Sequence, residues 1–273
     1  MATSMSEDDG GLSTGSSTPV MTKICGCQTD CLILVDETSE ITLFDTLTDF
    51  QFKLPPISTS LQQNKSPLGS VKTTIDAVHK AVLFFPGNDT KDFIVLAIYG
   101  ESKNLVFYRS ILETWTSLEE AGSGYDDITY HKGGLYAVDE YGKLVACDLK
   151  CPGFANLVPL TDRWCLWGEK LYLVSLGQEL CVVVRHYSDK SDDDLQNRET
   201  TKVRVCGLSY REKKGYLVGK MHGWAVFLGQ NSAVGIPPYS EGVMPDCIYV
   251  EDPDVHKGGH KTRVYSLPYQ AFV

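Results

Sequence analysis

The chain has 273 residues, 42% of them hydrophobic and 22% charged, and a formal net charge of −10. That balance belongs to a folded globular protein, not a disordered one, with enough chain to bury a sizeable core in one large domain or two small ones. A surface of this sign repels a phosphate backbone, and no basic cluster beyond Lys213-Lys214 offsets it, which disfavours general nucleic-acid binding.

Residues 1–22 are poor in apolar side chains and rich in Ser, Thr and Gly, and are expected to form a disordered tail ahead of a folded domain at 23–273. They contain no apolar core of a secretory signal. The longest apolar stretch, Phe93 to Tyr99, falls far short of the ~20 residues that span a bilayer, so no membrane association is expected. Nine cysteines, an odd number, argue against a fully paired disulfide framework and for free thiols in a reducing compartment. These absences point to the cytoplasm, the nucleus or both. The near-absence of Arg from the first residues disfavours an organellar transit peptide, although their Ser content is compatible with one. The sequons at Asn64 and Asn88 carry no weight without secretion.

From there on the chain reads as strand after strand. Cys31–Val35, a polar turn and Ile41–Phe44 form a predicted hairpin. The segment from Ser58 to Ser70 is polar and reads as a surface loop. Phe93–Tyr99 with Leu105–Tyr108 gives a second hairpin, Leu135–Val138 with Leu144–Cys147 a third, and Leu171–Val174 with Leu180–Val184 a fourth. Gly, Asp and Ser between the runs supply turn conformations. Ile111, Leu112, Trp115 and Leu118 have helical spacing, but the stretch is short and flanked by strands, which favours a strand end and loop. An acidic loop follows from Asp189 to Thr201, then further runs at Tyr216–Val218, Trp224–Leu228 and Cys247–Val250.

Three of the hairpins repeat one pattern. Ile94 and Leu135 lie 41 residues apart, and Leu135 and Leu171 lie 36 apart. Propeller blades of four strands recur at about 40–50 residues. The runs are apolar at consecutive positions, as strands buried on both faces are, and the middle strands of stacked blades are buried in that way. The expected fold is therefore an all-β propeller of about five four-stranded blade-like units, complete or incomplete. An open curved stack or a pair of sandwiched sheets is the alternative.

Chemistry-bearing patterns are few. Gly122-Ser-Gly124 lacks its third glycine, and no Gly-Lys-Ser/Thr or Gly-x-Ser-x-Gly occurs. Cys25, Cys27 and Cys31 have poor zinc spacing and read as small buried residues. Cys147 and Cys151 have no second pair, and His256 and His260 sit in loop sequence. Asp126-Asp127 and Asp192–Asp194 read as solvated turn residues, and Asp139 and Asp148 as acceptors for turn amides. Trp115, Trp164, Trp167 and Trp224 read first as blade core and second as recognition anchors. Arg109 and Arg185 end apolar runs, and read as partners of blade carboxylates ahead of receptors for an acidic client. No catalytic, cofactor-binding or metal-binding residue is nominated, and no partner-binding residue can be named.

Several stretches in order carry a family resemblance. Asp127–Asp139 followed by Tyr141–Asp148 resembles the plant KIB-type β-propeller domain, which often follows an F-box. Ile41–Thr48 with Leu54-Pro55-Pro56 is similar to an early blade of that domain, with Asp45-Thr46 in place of the usual Asn-Pro. Arg109 with Trp115-Thr116, Leu171–Arg185, Phe227–Ser232 and Asp246–Asp252 resemble later motifs, so that the likeness runs from about residue 25 to about residue 270. The resemblance implies a non-catalytic protein-interaction propeller like the client-selecting domain of plant F-box proteins, linked through them to ubiquitin-ligase substrate recognition, with a protein client and no cofactor. The polar residues before the first strand are too few for an F-box, which puts docking on a Skp1-type adaptor in doubt. The alternatives are a propeller enzyme using the central channel, and a shortened family member with no retained partner.

Overall fold

The computed structural model describes residues 23–28, 31–37, 40–57, 77–87, 91–118, 121–151, 155–161, 169–188, 198–209, 212–254 and 258–273. The expected tail at 1–22, the loop at 58–70, most of the acidic loop after Asp189, Trp164, Trp167, Asn64, Asn88 and His256 lie outside the described residues.

The elements described over their length are all β-strands. The first sheet holds β1 (Lys23–Gln28), β2 (Cys31–Val35), β3 (Ile41–Asp45) and β4 (Gln51–Lys53) in sequence order. The second holds β5 (Val78–Phe84), β6 (Ile94–Tyr99), β7 (Asn104–Arg109) and β8 (Thr114–Ser117). The third holds β9 (Tyr125–His131), β10 (Gly134–Asp139), β11 (Leu144–Asp148) and β12 (Asn156–Pro159). The fourth holds β13 (Lys170–Leu176), β14 (Glu179–Tyr187), β15 (Thr200–Ser209) and β16 (Lys214–Val218).

The fifth sheet departs from that plan. It has five strands: β17 (Ala225–Leu228), β18 (Ala233–Ile236), β19 (Cys247–Pro253), β20 (His260–Ser266) and β21 (Ala271–Phe272), in the order β18-β17-β19-β20-β21. All pairs in the five sheets are antiparallel except β17 with β19, which is parallel. The hairpin of β17 and β18 therefore enters the blade at its inner side, with β18 lying beside β13 of the blade before.

These are the blades of an all-β propeller, as expected, and all four predicted hairpins are present. The stretch at Ile111–Leu118 is a turn leading into β8, not a helix. The uneven hairpin spacing has a simple cause. Ile94 and Leu135 open and enter the second strands of their blades, whereas Leu171 lies in the first strand of its blade, so the third repeat is out of phase by one strand.

Buried apolar side chains join neighbouring blades rather than filling one centre. Cys25, Ile33, Val35, Leu43, Val95 and Trp115 knit blade 1 to blade 2. Leu96, Leu105, Ile128, Leu135 and Cys147 knit blade 2 to blade 3. Val138 and Leu144 meet Leu173 and Val182 between blades 3 and 4, and Tyr172 and Val205 meet Val226 and Ile248 between blades 4 and 5. Among the described residues no buried apolar cluster bridges blades 5 and 1.

Two contacts between innermost strands require glycine. A Cβ on Gly26 of β1 would lie 2.1 Å from the Ala81 carbonyl oxygen of β5, and one on Gly235 of β18 would lie 2.6 Å from the Ser175 carbonyl oxygen of β13.

Candidate binding surface

The charged residues buried in the molecule belong to the joints between blades. Asp126 and Asp127 head β9, the inner strand of blade 3. Their expected place in a solvated turn is wrong: both are buried, Asp127 completely. Asp127 accepts from the amides of Ile128 (2.8 Å) and Leu173 (2.7 Å) and pairs with Lys80. Asp126 accepts from the Leu171 amide (3.0 Å) and from Lys103 Nζ (3.0 Å), with Lys170 nearby. One carboxylate pair thus ties β5, β9 and β13, the inner strands of three blades. Burial pulls the Lys170 ammonium below its ordinary value, against the opposing pull of Asp126 and Asp127. Each of the four carboxylate oxygens accepts a hydrogen bond from a backbone amide or a lysine, so the pair is held in place as a structural joint.

The two arginines pair as the sequence favoured. Arg109, 3% exposed, grips Asp92 through Nε (3.0 Å) and Nη2 (2.7 Å) and donates to the carbonyls of Leu149 and Lys150 in blade 3. Arg185 donates to Thr200 Oγ1, to the Glu251 carbonyl and to Asp252 Oδ1 (2.7 Å). Asp252, fully buried, also accepts from the Thr200 amide and from Arg263. A network of this kind, with every group partnered, locks blade 4 to blade 5.

Other residues that the sequence singled out fall as follows. Trp115 is core, its Nε1 donating to the Pro55 carbonyl at 2.7 Å. Asp139 accepts from the turn amides of Tyr141 and Lys143 as expected, and Asp148 from that of Lys150. Cys25, Cys31, Cys147, Cys151, Cys181, Cys206 and Cys247 are free thiols. Burial pushes Cys25 and Cys147 up to about 12, so both are inert thiols in the core.

A cleft of about 440 Å³ opens between blades 4 and 5. Its walls are the end of the hairpin of β13 and β14 (Leu176, Gln178, Glu179, Cys181), the outer strand β16 (Tyr216, Leu217, Val218) and the connection from Gly219 to Trp224. The register explains its shape. Val174, Cys181, Gly207 and Tyr216 lie in one row across the four strands of blade 4. Gly207 has no side chain, and the Tyr216 ring folds into the space: a Cβ there would meet Tyr216 Cζ at 2.4 Å. Burial and the neighbouring Glu179 and Cys181 raise the Tyr216 phenol above its ordinary value. The opposite wall is a tight turn, its Trp224 amide donating to the Met221 carbonyl (3.0 Å), with φ of 53° at His222 and 86° at Gly223. Asp246 pins that turn by accepting from the Met221 and Gly223 amides and donating its own amide to the Trp224 carbonyl.

Trp224 is thus half-buried in a cleft wall, between its two sequence readings of core and anchor. Sequence reasoning did not find the cleft. The run from Lys213 to Trp224, with three glycines, a Tyr-Leu pair and Lys213, Lys214 and Lys220, forms much of its wall, but nothing in its spacing marks it as one.

A sequence model described as KIB1-4 beta-propeller matches residues 11–266. The chain belongs to the KIB1-4 β-propeller family. Among curated proteins it is similar to two F-box proteins of Arabidopsis thaliana. With the F-box protein At5g55150 it is 25% identical over 176 residues, 62% of this chain and 47% of that protein. With the F-box protein SKIP23 it is 25% identical over 170 residues, 57% of this chain and 40% of that protein. The match thus spans less than half the length of either relative. Among solved structures, a Saccharomyces cerevisiae assembly of Dbp5 with Nup159 and Gle1 covers 90% of this chain and 59% of its own, at 7% identity and a TM-score of 0.38. An auxiliary nutrient binding protein of Bacteroides thetaiotaomicron covers 93% and 52%, at 13% identity and a TM-score of 0.37. Likenesses of that size carry no argument about this KIB1-4 propeller. No helix among the described residues is long and apolar enough to cross a membrane.

Proposed function

We propose that this KIB1-4 propeller is a non-catalytic interaction module that selects a protein client, in the manner of a substrate-recognition domain of an F-box ubiquitin ligase. The observation that carries the reading is the family match across residues 11–266 together with F-box relatives. The geometry supports it. The buried charged residues at the blade joints are bound to one another or to backbone groups, while an open cleft with an apolar floor lies on the rim. Interaction surfaces combine such a floor with a polar rim. Clefts that carry catalysis set a nucleophile and a base within hydrogen-bond reach, and the residues lining this one include Cys181, Glu179 and His222 without such a pair among the described hydrogen bonds.

Affinity capture of the full-length chain from plant tissue, followed by direct binding of each recovered protein to the purified chain, tests the reading. A reproducible client that binds directly is expected. Recovery of a Skp1-type adaptor along with the client supports the ligase connection. A chain that binds no recovered protein directly, or that turns over a small molecule in activity screens, overturns it.

A further inference from the structure

The outer strand of blade 4 differs from the outer strands of its neighbours. β8 buries Trp115, and β12 ends in a proline that cannot donate a ladder bond. β4 is a three-residue strand. β16 is exposed from Lys214 to Leu217 and carries Tyr216 and Leu217, 47% and 61% exposed, at the mouth of the cleft. It stands at the end of its sheet, paired only to β15, and no described backbone group bonds to its outer edge. A free edge of this kind is a ready template for another strand.

Charge adds a second, independent constraint. Lys213 and Lys214 open the strand, Lys220 and His222 follow it on the cleft wall, and Lys132 reaches the same rim by donating to the Gln178 carbonyl at 2.7 Å. Against them stand Glu179 and Glu212. Among the described residues Lys213, Lys214 and Lys220 form no ion pair, unlike Lys80, Lys103 and Lys170 at the blade joints. On a chain of net charge −10, this mostly positive edge, free of ion pairs among the described residues, faces outward beside the cleft. Such an edge attracts acidic segments and repels basic ones.

From these observations, and resting on the interaction reading above, we propose that β16 and the cleft beside it bind an extended acidic segment of the client. The segment adds as a strand to the edge of β16. One of its apolar side chains enters the cleft against Tyr216, Met221 and Trp224, and its Asp or Glu residues meet Lys213, Lys214 and Lys220. Main-chain hydrogen bonds supply affinity in this mode, and the pocket and the lysines supply selectivity. Gly207 and Asp246 serve the site indirectly. One lets Tyr216 lie flat as the floor, and the other holds the turn that forms the far wall.

Selection of a phage-displayed library of random linear peptides against the full chain tests this. The enriched peptides are expected to share one apolar residue flanked by Asp or Glu. Synthetic peptides of the enriched sequence are expected to bind roughly tenfold more weakly to the double variant Lys214→Glu/Lys220→Glu, and to weaken as salt is raised. N-methylation of alternate peptide amides is expected to abolish binding in one register and leave it intact in the other, because only alternate amides of an added strand face β16. Both lysines are exposed, so an unchanged thermal midpoint confirms that the variant is folded. No enrichment, basic or uncharged enriched peptides, indifference to the charge reversal, or equal tolerance of N-methylation in both registers each overturns the proposal. If the chain still binds a captured client with full affinity after the lysines are reversed, the interaction reading stands and this surface alone is excluded.

Discussion

Asp127 shows how much one side chain carries in this molecule. It is completely buried, accepts from the Ile128 and Leu173 amides, and neutralises Lys80, so that it touches three blades at once. Asp127→Ala leaves a nearly buried ammonium and two amides without their acceptor, and is expected to destabilise by about 3–5 kcal/mol in urea unfolding. Asp139→Ala, which removes the acceptor of two turn amides at the blade surface, is expected to lose about 1 kcal/mol. Equal losses at the two sites would remove the argument that the Asp126-Asp127 pair is a joint. Histidines make the same point through pH. Burial, first among the causes, holds His79, His131 and His186 below the ordinary imidazole value, and His186 Nε2 already accepts from Arg204 Nε at 3.0 Å. The unfolded chain takes up these protons near pH ~6.5 and the folded chain only at lower pH, so their stabilising effect is complete above about 6.5 and drains away as pH falls below it. Asp45 and Glu199, whose carboxyls are held down by a backbone amide and by Lys261, begin to matter only in the more acidic range near their own ordinary values. The urea midpoint is therefore expected to be lower at about pH 5.5 than at about pH 7.5, and His186→Gln is expected to flatten that slope.

Blade packing turns on where a strand can do without a side chain. Gly26 and Gly235 sit where inner strands of adjacent blades meet backbone to backbone, so no rotamer change can relieve an added methyl group. Gly26→Ala and Gly235→Ala are each expected to destabilise by about 1–3 kcal/mol through overpacking. Gly87→Ala and Gly219→Ala, with open space at the Cβ position, are expected to lie within about 0.5 kcal/mol of the parent in the same denaturation series. The contrast also marks what a sequence can say about this fold. The hairpins of β2–β3, β6–β7, β10–β11 and β13–β14 are legible because consecutive apolar residues between turn signals are rare outside buried strands. β15 is less so: its Val203 and Val205 alternate with Lys202 and Arg204, and the acidic loop before it masks its start. Asp126 and Asp127 were misread for a related reason. Paired carboxylates signal a turn locally, and only the neighbouring inner strand β13, 45 and 46 residues further along, supplies the Leu171 and Leu173 amides that they accept from. The cleft was illegible because it depends on Gly207 and Tyr216 being cross-strand partners, a register that spacing alone does not fix.

At the level of the whole molecule, five blades are joined by four apolar interfaces among the described residues, and the burial of individual strands records the difference. In β6 and β14 consecutive side chains are buried, because a blade lies on each face. β2 is as apolar in sequence, yet buried and half-buried residues alternate along β2 and β3. Ile33, Val35, Ile41 and Leu43 face blade 2, while Leu32, Leu34 and Phe44 belong to no buried cluster, and Ile24 beside Leu34 is 61% exposed. Blade 5 mirrors this. Val226, Ile248 and Tyr265 face blade 4, while Val234, Phe227, Tyr249 and Val264 form a row across four strands on the other face, with the rings of Phe227 and Tyr249 stacked at 4.5 Å. A stack of this kind behaves as a nearest-neighbour array, in which a blade with one covered face opens at lower free energy than a blade with two. Hydrogen exchange is expected to report that order. Amides of β6, β7, β13 and β14 should exchange only through global unfolding, while those of β2 and β3, equally well hydrogen-bonded in their sheet, should exchange earlier through opening of blade 1. Leu34→Ser, half-buried on the face that no buried cluster of the described residues includes, should leave that order unchanged and cost less than Ile33→Ala, one residue away on the face toward blade 2, which should lower the protection of blades 1 and 2 together by about 2–5 kcal/mol. Uniform protection across all five blades would mean that the first blade is covered on both sides in solution, and that the propeller opens as a single unit.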